Sequence, residues 1–263
     1  MGAGNYKSAG RFWQAGSIFR QVLGGVKRPN ATNGAHIKSA SPNCSVHIVT
    51  AENRELYRQQ LESSFRLRHD VYVNERKWSD FYSPDGREVD EYDTDDAIYF
   101  LAIEEDSDRL LGCARLLPTV RKPLLREFKS LTYSYPIPRS PTVLHLSRHV
   151  VRRDHRENGM VSLVTLVIRA AIQEFCLAEN VEQLTLLVAV ALLPSFLELG
   201  WNPQPLGLPT RLWDTSCVVA ALDVSEVALR KTQDAAGVSG SLLVRRGLTR
   251  PPLSVPPDSS WLC

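Results

Sequence analysis

A mixed β-sheet flanked by helices, of the α/β or α+β class, is the architecture this sequence predicts. Three observations carry that expectation. Apolar runs of strand length alternate with stretches of helical spacing, no internal repeat recurs, and the elements read β-α-loop-β-β-β-α-β-α-β. With 263 residues, 43% hydrophobic and 23% charged, the chain can bury a core as one large domain or two small ones.

The first periodic segment, Ser45-Val46-His47-Ile48-Val49, reads as a strand. Across 52–65, Leu56, Tyr57, Leu61 and Phe65 share a helical face, and the pattern runs on to Val73. A loop follows at 74–94, with Trp78, Pro84-Asp85-Gly86 and five acids between Asp85 and Asp93. Strands at 98–103 and 110–117 flank the turn Asp106-Ser107-Asp108. A short helix is read at 124–131, a strand at 143–151 and a charged turn at 152–158. Met160, Leu163, Val164, Val167, Ala171 and Phe175 form the apolar stripe of the clearest helix, 159–178. A buried strand at 184–190, a short helix at 192–199 ended by Gly200, a late strand at 216–224 and a helix capped by Ser225 complete the order.

The formal charge of +2 conceals a split. Residues 1–51 hold no Asp or Glu but carry Lys7, Arg11, Arg20, Lys27, Arg28 and Lys38; removing these six from 31 bases leaves 25 against 29 acids, a net −4. Three segments are expected: a basic, flexible extension at 1–44, a folded domain at 45–235, and a mobile tail at 236–263 rich in Pro, Ser and Gly. The extension reads as a disordered arm or an over-extended start ahead of a transit peptide, and it has no continuous apolar region of a secretion signal. The longest uncharged apolar run, 184–197, is 14 residues and contains Pro194, too short to span a bilayer. The five cysteines (Cys44, Cys113, Cys176, Cys217, Cys263) are scattered without a CxxC pair, so neither a metal site nor a disulfide framework is expected, and a reducing cytoplasm is.

Two arginines lie inside apolar strands: Arg115 in Gly-Cys-Ala-Arg-Leu-Leu-Pro, and Arg148 in Leu-His-Leu-Ser-Arg-His-Val-Val. A guanidinium is not buried unpaired, so both need carboxylates, and Asp90 and Asp93 are nearest in sequence. Arg68 and Trp78 lie in or beside the same polar segment. On the residues alone, an ion-pair network pinning the loop to the sheet is favoured over a catalytic set.

The ordered series Arg68-x3-Tyr72, Trp78, Glu88-Val-Asp90-Glu-Tyr-Asp93, Gly112-Cys-Ala-Arg115-Leu-Leu-Pro-Thr119 and Ser147-Arg148 resembles the acyl-homoserine-lactone synthases, the autoinducer synthases of bacterial quorum sensing. The match runs from about Val46 to Val227. The resemblance implies a GNAT-like acyltransferase fold, with a bent mixed sheet splayed in the middle. It also implies a two-part reaction. The amine of S-adenosylmethionine attacks an acyl thioester carried by acyl carrier protein or coenzyme A; the methionine carboxylate then displaces at its own γ-carbon, closing the lactone and releasing methylthioadenosine. S-adenosylmethionine is then a substrate, no separate cofactor or metal is implied, and the setting is a bacterial cytoplasm. In that chemistry Arg68, Arg115 and Arg148 frame the substrate carboxylate and Asp90 and Asp93 its cationic end, with Tyr72 and Trp78 as aromatic contacts. Because the match begins near Val46, the basic extension takes no part, and neither nucleic acid nor a membrane span is implied.

Three departures stand out. The family usually has Phe at the Tyr72 position, Glu at the His145 position, and an aromatic or apolar residue at the His149 position. A histidine titrating near neutrality at 145 would serve as a base in place of the glutamate; the plain alternative is a strand histidine bonded to a neighbour. Arg152, Arg153 and Arg156, with Arg121, Lys122, Arg126 and Lys129, form a basic surface suited to acyl carrier protein or a coenzyme A phosphate, or else an ordinary solvated face. The segment Arg156-Glu-Asn-Gly159-Met-Val161 partly echoes the GNAT pyrophosphate turn. By family position Leu186 and Val188, with Pro194 and Phe196, would line the acyl pocket, whereas periodicity alone places the run in the core. The rival functions are a GNAT-type N-acyltransferase acting on another amine and a diverged homologue without turnover.

Overall fold

The computed structural model describes residues 43–121, 124–127, 131, 133–156, 161–249 and 251–253. The expected extension up to residue 42 and most of the phosphate-turn echo lie outside the described residues, and Cys44, expected in the extension, opens the first strand. A nine-stranded mixed sheet runs through the molecule. Its strands are β1 (Cys44–Val49), β2 (Ile98–Glu104), β3 (Leu110–Pro118), β4 (Val143–Val151), β5 (Gln183–Ala189), β6 (Gln204–Pro205), β7 (Thr210–Leu212), β8 (Thr215–Asp223) and β9 (Leu243–Val244). The order is β6-β8-β5-β4-β3-β2-β1-β9, with β7 also paired to β8. The helices are α1 (Arg58–His69), α2 (Leu163–Ala178), α3 (Leu193–Glu198) and α4 (Glu226–Ala236).

β2 and β3 are nearly continuous apolar runs because both faces are covered, whereas β4 is apolar at its ends and carries His145, Ser147, Arg148 and His149 between them. Phe100, Leu116, Leu144 and Leu146 pack on one side against Val164, Val167, Ile168 and Phe175 of α2. Tyr99, Leu101, Cys113 and Leu117 pack on the other with Leu67 of α1 and Val71 just beyond it. Gly112 permits this closeness: a Cβ there would lie 2.9 Å from the Val150 carbonyl oxygen and 3.1 Å from Ile168 Cδ1. The expected Ser225 cap forms, accepting from the Ala228 N–H at 3.1 Å; α2, expected from Gly159, starts instead at Leu163, where Ser162 caps it by accepting from the Thr165 N–H.

Two irregularities place the site. The parallel β4–β5 pairing ends at Leu146–Leu186, after which β4 stays with β3 and β5 with β8, so the sheet opens between them. This is the bent, splayed, helix-flanked sheet expected. Along β4 the register with β3 slips between the Cys113–Val150 and Arg115–Ser147 pairs, and Arg148 has φ +53°. That is a β-bulge, with one extra residue on β4. Strand alternation would turn Ser147 and Arg148 to opposite faces; the bulge sets both toward Arg115.

Two expectations are corrected and two short strands are added. The helical face at 52–65 is rotated: a 3₁₀ turn at Arg54–Tyr57 precedes α1, so Leu56 stays exposed while Leu67 and Arg68 are buried. The short strands β6 and β7 were not legible, since each draws its ladder from β8 rather than from its own apolar pattern. The segment expected as a mobile tail is structured through residue 253 among the described residues. β9 pairs with β1 in parallel, and Leu242, Leu243, Leu248 and Leu253 pack on the core. Asn53 Nδ2 donates to the Arg246 carbonyl at 2.8 Å, and Arg245 pairs with Glu179 at 2.9 Å.

Candidate active site

Arg68 sits near the end of α1, where its guanidinium is 1% exposed. It donates from Nε to Glu88 and from both terminal nitrogens to Asp93, at 2.9 and 2.8 Å. Arg115 grips Asp90 in the same two-pronged way at 2.6 and 2.9 Å, and reaches Asp93 at 2.7 Å and Ser147 Oγ at 3.2 Å. Arg148, turned in by the bulge, bonds Glu88 at 2.9 Å and Asp90 at 2.6 Å. Tyr99 donates its hydroxyl to Asp93 at 2.9 Å. Three guanidinium groups thus meet three carboxylates, and the charges cancel within the network.

Burial works to raise the Asp93 pKa, but the hydrogen bonds and charge of Arg68, then the charge of Arg115, hold it far below the usual carboxylate range. Burial opposes charging Arg68 too, and its bonds to Asp93 and the nearby acids raise its pKa instead. The network is sealed on one side only. Arg68, Arg115, Glu88 and Asp93 are at most 3% exposed, whereas Asp90 and Arg148 are 19% and 13% exposed and form its open rim.

Beyond α1 the chain widens into a π-helical turn, Asp70–Glu75, which carries Tyr72 over the network. The Arg148 guanidinium carbon stands 5.7 Å from the Tyr72 ring centre and 5.1 Å from that of Phe81. Burial pushes the Tyr72 hydroxyl up to about 12. Trp78 was expected to offer a flat face. It stacks on Tyr72 (5.5 Å, 5°) and on Trp213 (4.3 Å, 17°), the latter from the β7–β8 turn. The two indoles are cross-tied: Trp213 donates to Asp80 at 3.0 Å and Trp78 to Asp214 at 3.4 Å.

One step along the sheet from the Arg115–Ser147 pair lies the row Leu117, His145, Thr185. It floors a cavity of about 390 Å³ roofed by Leu124, Leu125 and the 133–139 segment, including Tyr133, Tyr135 and Ile137. The row and the ion pairs share a face, about 7 Å apart by the strand rise. His145 Nδ1 lies 3.1 Å from Thr185 Oγ1, and burial first, then the Arg115 and Arg148 charges, lowers its pKa to about 3. The expectation that this imidazole titrates near neutrality is therefore corrected: it stays neutral. Leu186 and Val188 belong to the core on the α2 side and line no part of this cavity; the alternation of β5 gives that place to Thr185.

The expected basic surface is mixed in charge. Arg156 is held by Glu75 at 2.7 and 2.9 Å, Asp154 takes bonds from Arg109, and Arg152 and Arg153 share an open groove with Asp70, Glu75 and Asp154. Lys122, Lys129 and the Arg126 side chain lie outside the described residues.

The autoinducer synthase profile matches residues 52–232. The isovaleryl-homoserine lactone synthase of Bradyrhizobium diazoefficiens is 38% identical over 194 residues, 73% of this chain and 86% of that protein. The chain belongs to the autoinducer synthase family. An acyl-homoserine-lactone synthase of Agrobacterium fabrum is 27% identical over 187 residues, 70% of this chain and 88% of its own. Among solved structures, the CoA-dependent acyl-homoserine lactone synthase BjaI with SAM and isopentyl-CoA superimposes with a TM-score of 0.73 at 34% identity, covering 80% of this chain and 97% of that one. MesI, also CoA-dependent, gives 0.67 at 29% identity, over 75% and 98%. As an autoinducer synthase the chain is an acyltransferase that makes an acyl-homoserine lactone signal from S-adenosylmethionine and an acyl thioester. Sequence reasoning about this synthase left Glu88, Tyr99, Ser147 and Trp213 out of its candidate site. Glu88 stood inside the quoted Glu-x-Asp-x-x-Asp spacing and was within reach of that reading; Trp213, more than a hundred residues from its partner, carried no such signal.

Proposed function

We propose that this synthase takes its acyl group from acyl-CoA, and that the cavity beside the ion-pair network receives a short or branched acyl chain. The observation that carries the reading is the adjacency of the network's open rim to an apolar cavity on one face of the sheet. Two similar proteins, an isovaleryl-homoserine lactone synthase and a CoA-dependent acyl-homoserine lactone synthase with isopentyl-CoA, favour that donor and acyl class. A volume of about 390 Å³ lies toward the small end of the roughly 300–1,000 Å³ range of ligand pockets.

In this reading the six charged groups divide by exposure. Arg148 and Asp90, at the rim, contact S-adenosylmethionine through its carboxylate and its cationic end respectively. Arg68, Arg115 and Asp93, with Glu88 beneath them, are positioning residues whose charges are consumed in holding the loop. Tyr72 and Trp78 border the same site. His145 lines the acyl cavity as a neutral ring and supplies no base. The neutral amine attacks the thioester carbonyl beside the rim and expels the coenzyme A thiolate, which takes up the amine's proton. The carboxylate of the same substrate then attacks its own γ-carbon, breaking the sulfonium C–S bond, closing the lactone and releasing methylthioadenosine. Arg152 and Arg153 are the members of the basic set left to receive the donor's phosphates or an acidic carrier. No helix among the described residues is long and apolar enough to cross a membrane, and we place the enzyme in the bacterial cytoplasm.

The test is incubation of purified protein with S-adenosylmethionine and parallel panels of acyl-CoA and acyl carrier protein thioesters, followed by mass spectrometry. Acyl-homoserine lactone and methylthioadenosine are expected with branched or short acyl-CoA. Products from acyl carrier protein alone would overturn the donor assignment; acylated amine without methylthioadenosine would favour an ordinary N-acyltransferase.

A further inference from the structure

Most of the cavity beside the ion pairs is apolar, walled by Leu117, Leu124, Leu125, Pro136 and Ile137. The polar side chains around it are mostly spent on the backbone. Thr119 Oγ1 donates to the Val143 carbonyl at 2.8 Å, the Tyr133 hydroxyl to that of Leu125 at 3.0 Å, and Arg139 to that of Val120 at 2.7 Å. Tyr135 is partly open to solvent. His145 is the exception. It is 5% exposed, its ring lines the cavity, and its Nε2 has no hydrogen-bond partner among the described residues.

The other ring nitrogen fixes what that free atom can do. Thr185 Oγ1 lies 3.1 Å from Nδ1 and 3.5 Å from the Leu144 carbonyl oxygen, to which it donates. A hydroxyl has one proton to give, and a carbonyl can only accept. The Thr185 proton therefore points to Leu144, and Nδ1 carries the imidazole proton and donates to Thr185. In a neutral ring this leaves Nε2, the nitrogen farther from the backbone, as a bare lone pair. Burial first, then the Arg115 and Arg148 charges, holds the ring neutral. A buried acceptor without a donor is costly, and an apolar side chain at this position would have avoided that cost.

We propose that His145 determines acyl specificity, and that the chain it selects carries a hydroxyl group donating to Nε2. The proposal rests on the acyl-donor reading above and adds the chemistry of the chain. The partner must be a neutral donor. An ammonium group is disfavoured by the apolar walls and by the same two arginine charges, whereas a carboxylate or an oxo group only accepts. His145 stands about 7 Å along the sheet from the ion pairs. The hydroxyl therefore lies several bonds along the chain from the thioester carbonyl, not beside it.

The test offers the wild type, His145→Phe and Thr185→Val matched acyl-CoA thioesters of one chain length. These are unsubstituted, or carry a hydroxyl or an oxo group at successive carbons, and kcat/KM is compared. The wild type is expected to favour one hydroxylated donor about tenfold over its unsubstituted and oxo counterparts. His145→Phe keeps a ring on the cavity floor and should bring that ratio to about one or below, with the S-adenosylmethionine KM within about twofold. Thr185→Val frees the tautomer and should narrow the gap between hydroxylated and oxo donors. Nitrogen NMR of the histidine-labelled wild type reads the tautomer directly, with His145 expected to be protonated at Nδ1 alone. A proton on Nε2, or a preference for an oxo donor, would overturn the hydroxyl assignment. An equal fall for every donor in His145→Phe, with the ratio unchanged, would make His145 structural and end the proposal. Absence of product from the wild type with all donors would instead sink the functional reading. Calorimetry with the same thioesters would still decide the site: tighter binding of a hydroxylated chain upholds it, and equal affinities overturn it.

Discussion

Asp93 bears more of the network than any other acid. It accepts from Arg68 twice, from Arg115, from Tyr99 and from the backbone N–H of Asp90. Asp93→Asn keeps the shape but removes a charge facing two buried guanidinium groups, and breaking a buried pair costs about 3–5 kcal/mol. The expected outcome is a fall of that size in urea-denaturation stability together with loss of turnover; a variant of wild-type stability would show that Asp93 does not hold the loop. The sequence made the need for such acids legible, since Arg115 and Arg148 interrupt apolar strands. It did not show that Glu88 completes the charge balance, because that depends on which side of the loop faces Arg68 and Arg148.

At the scale of elements, the β4 bulge and the β7–β8 hairpin build the site together. The bulge brings Arg148 to the face of Arg115. The hairpin turn puts Trp213 at φ +53°, a conformation few side chains adopt without outside support. That support is the reciprocal clasp with Trp78 and Asp80. Trp213→Ala is expected to raise the S-adenosylmethionine KM roughly three- to tenfold, the worth of one aromatic stacking pair, with the acyl-donor KM unchanged. Steady-state kinetics with each substrate varied in turn checks it, and an equal rise in both would count against the clasp bordering the S-adenosylmethionine site. Neither device was legible in the chain. A bulge leaves the apolar pattern of β4 intact, and the clasp joins residues 136 apart.

For the whole molecule, the two neutral histidines give stability a pH dependence. His145 and His149 are lowered from 6.5 to about 3 by burial, with Arg115 and Arg148 adding to the first and Arg169 to the second. Between about pH 3 and 6.5 the unfolded chain therefore binds protons that the folded chain does not, and stability rises with pH through that window and levels above it. Asp93 acts in the same direction only below about pH 4, where the unfolded carboxylate protonates. The denaturation midpoint is expected to be clearly lower at about pH 5 than at about pH 7.5, and His145→Gln to flatten the slope. An unchanged slope in that variant would show that His145 is charged in the folded enzyme.

By itself the sequence determined what short-range chemistry determines: helical and strand periodicity, the Ser225 cap, the length of the apolar runs, and the demand of buried arginines for acids. The ordered Arg, Trp and Asp residues also carried the family. The tertiary structure decided the rest. The face that Leu186, Val188 and Thr185 present, the closing of the sheet by β9, the clasp through Trp213 and the pairing of His145 with Thr185 all depend on register and on contacts between segments far apart. A two-residue strand or a cross-strand pair has no pattern of its own; it exists only once its neighbours are in place.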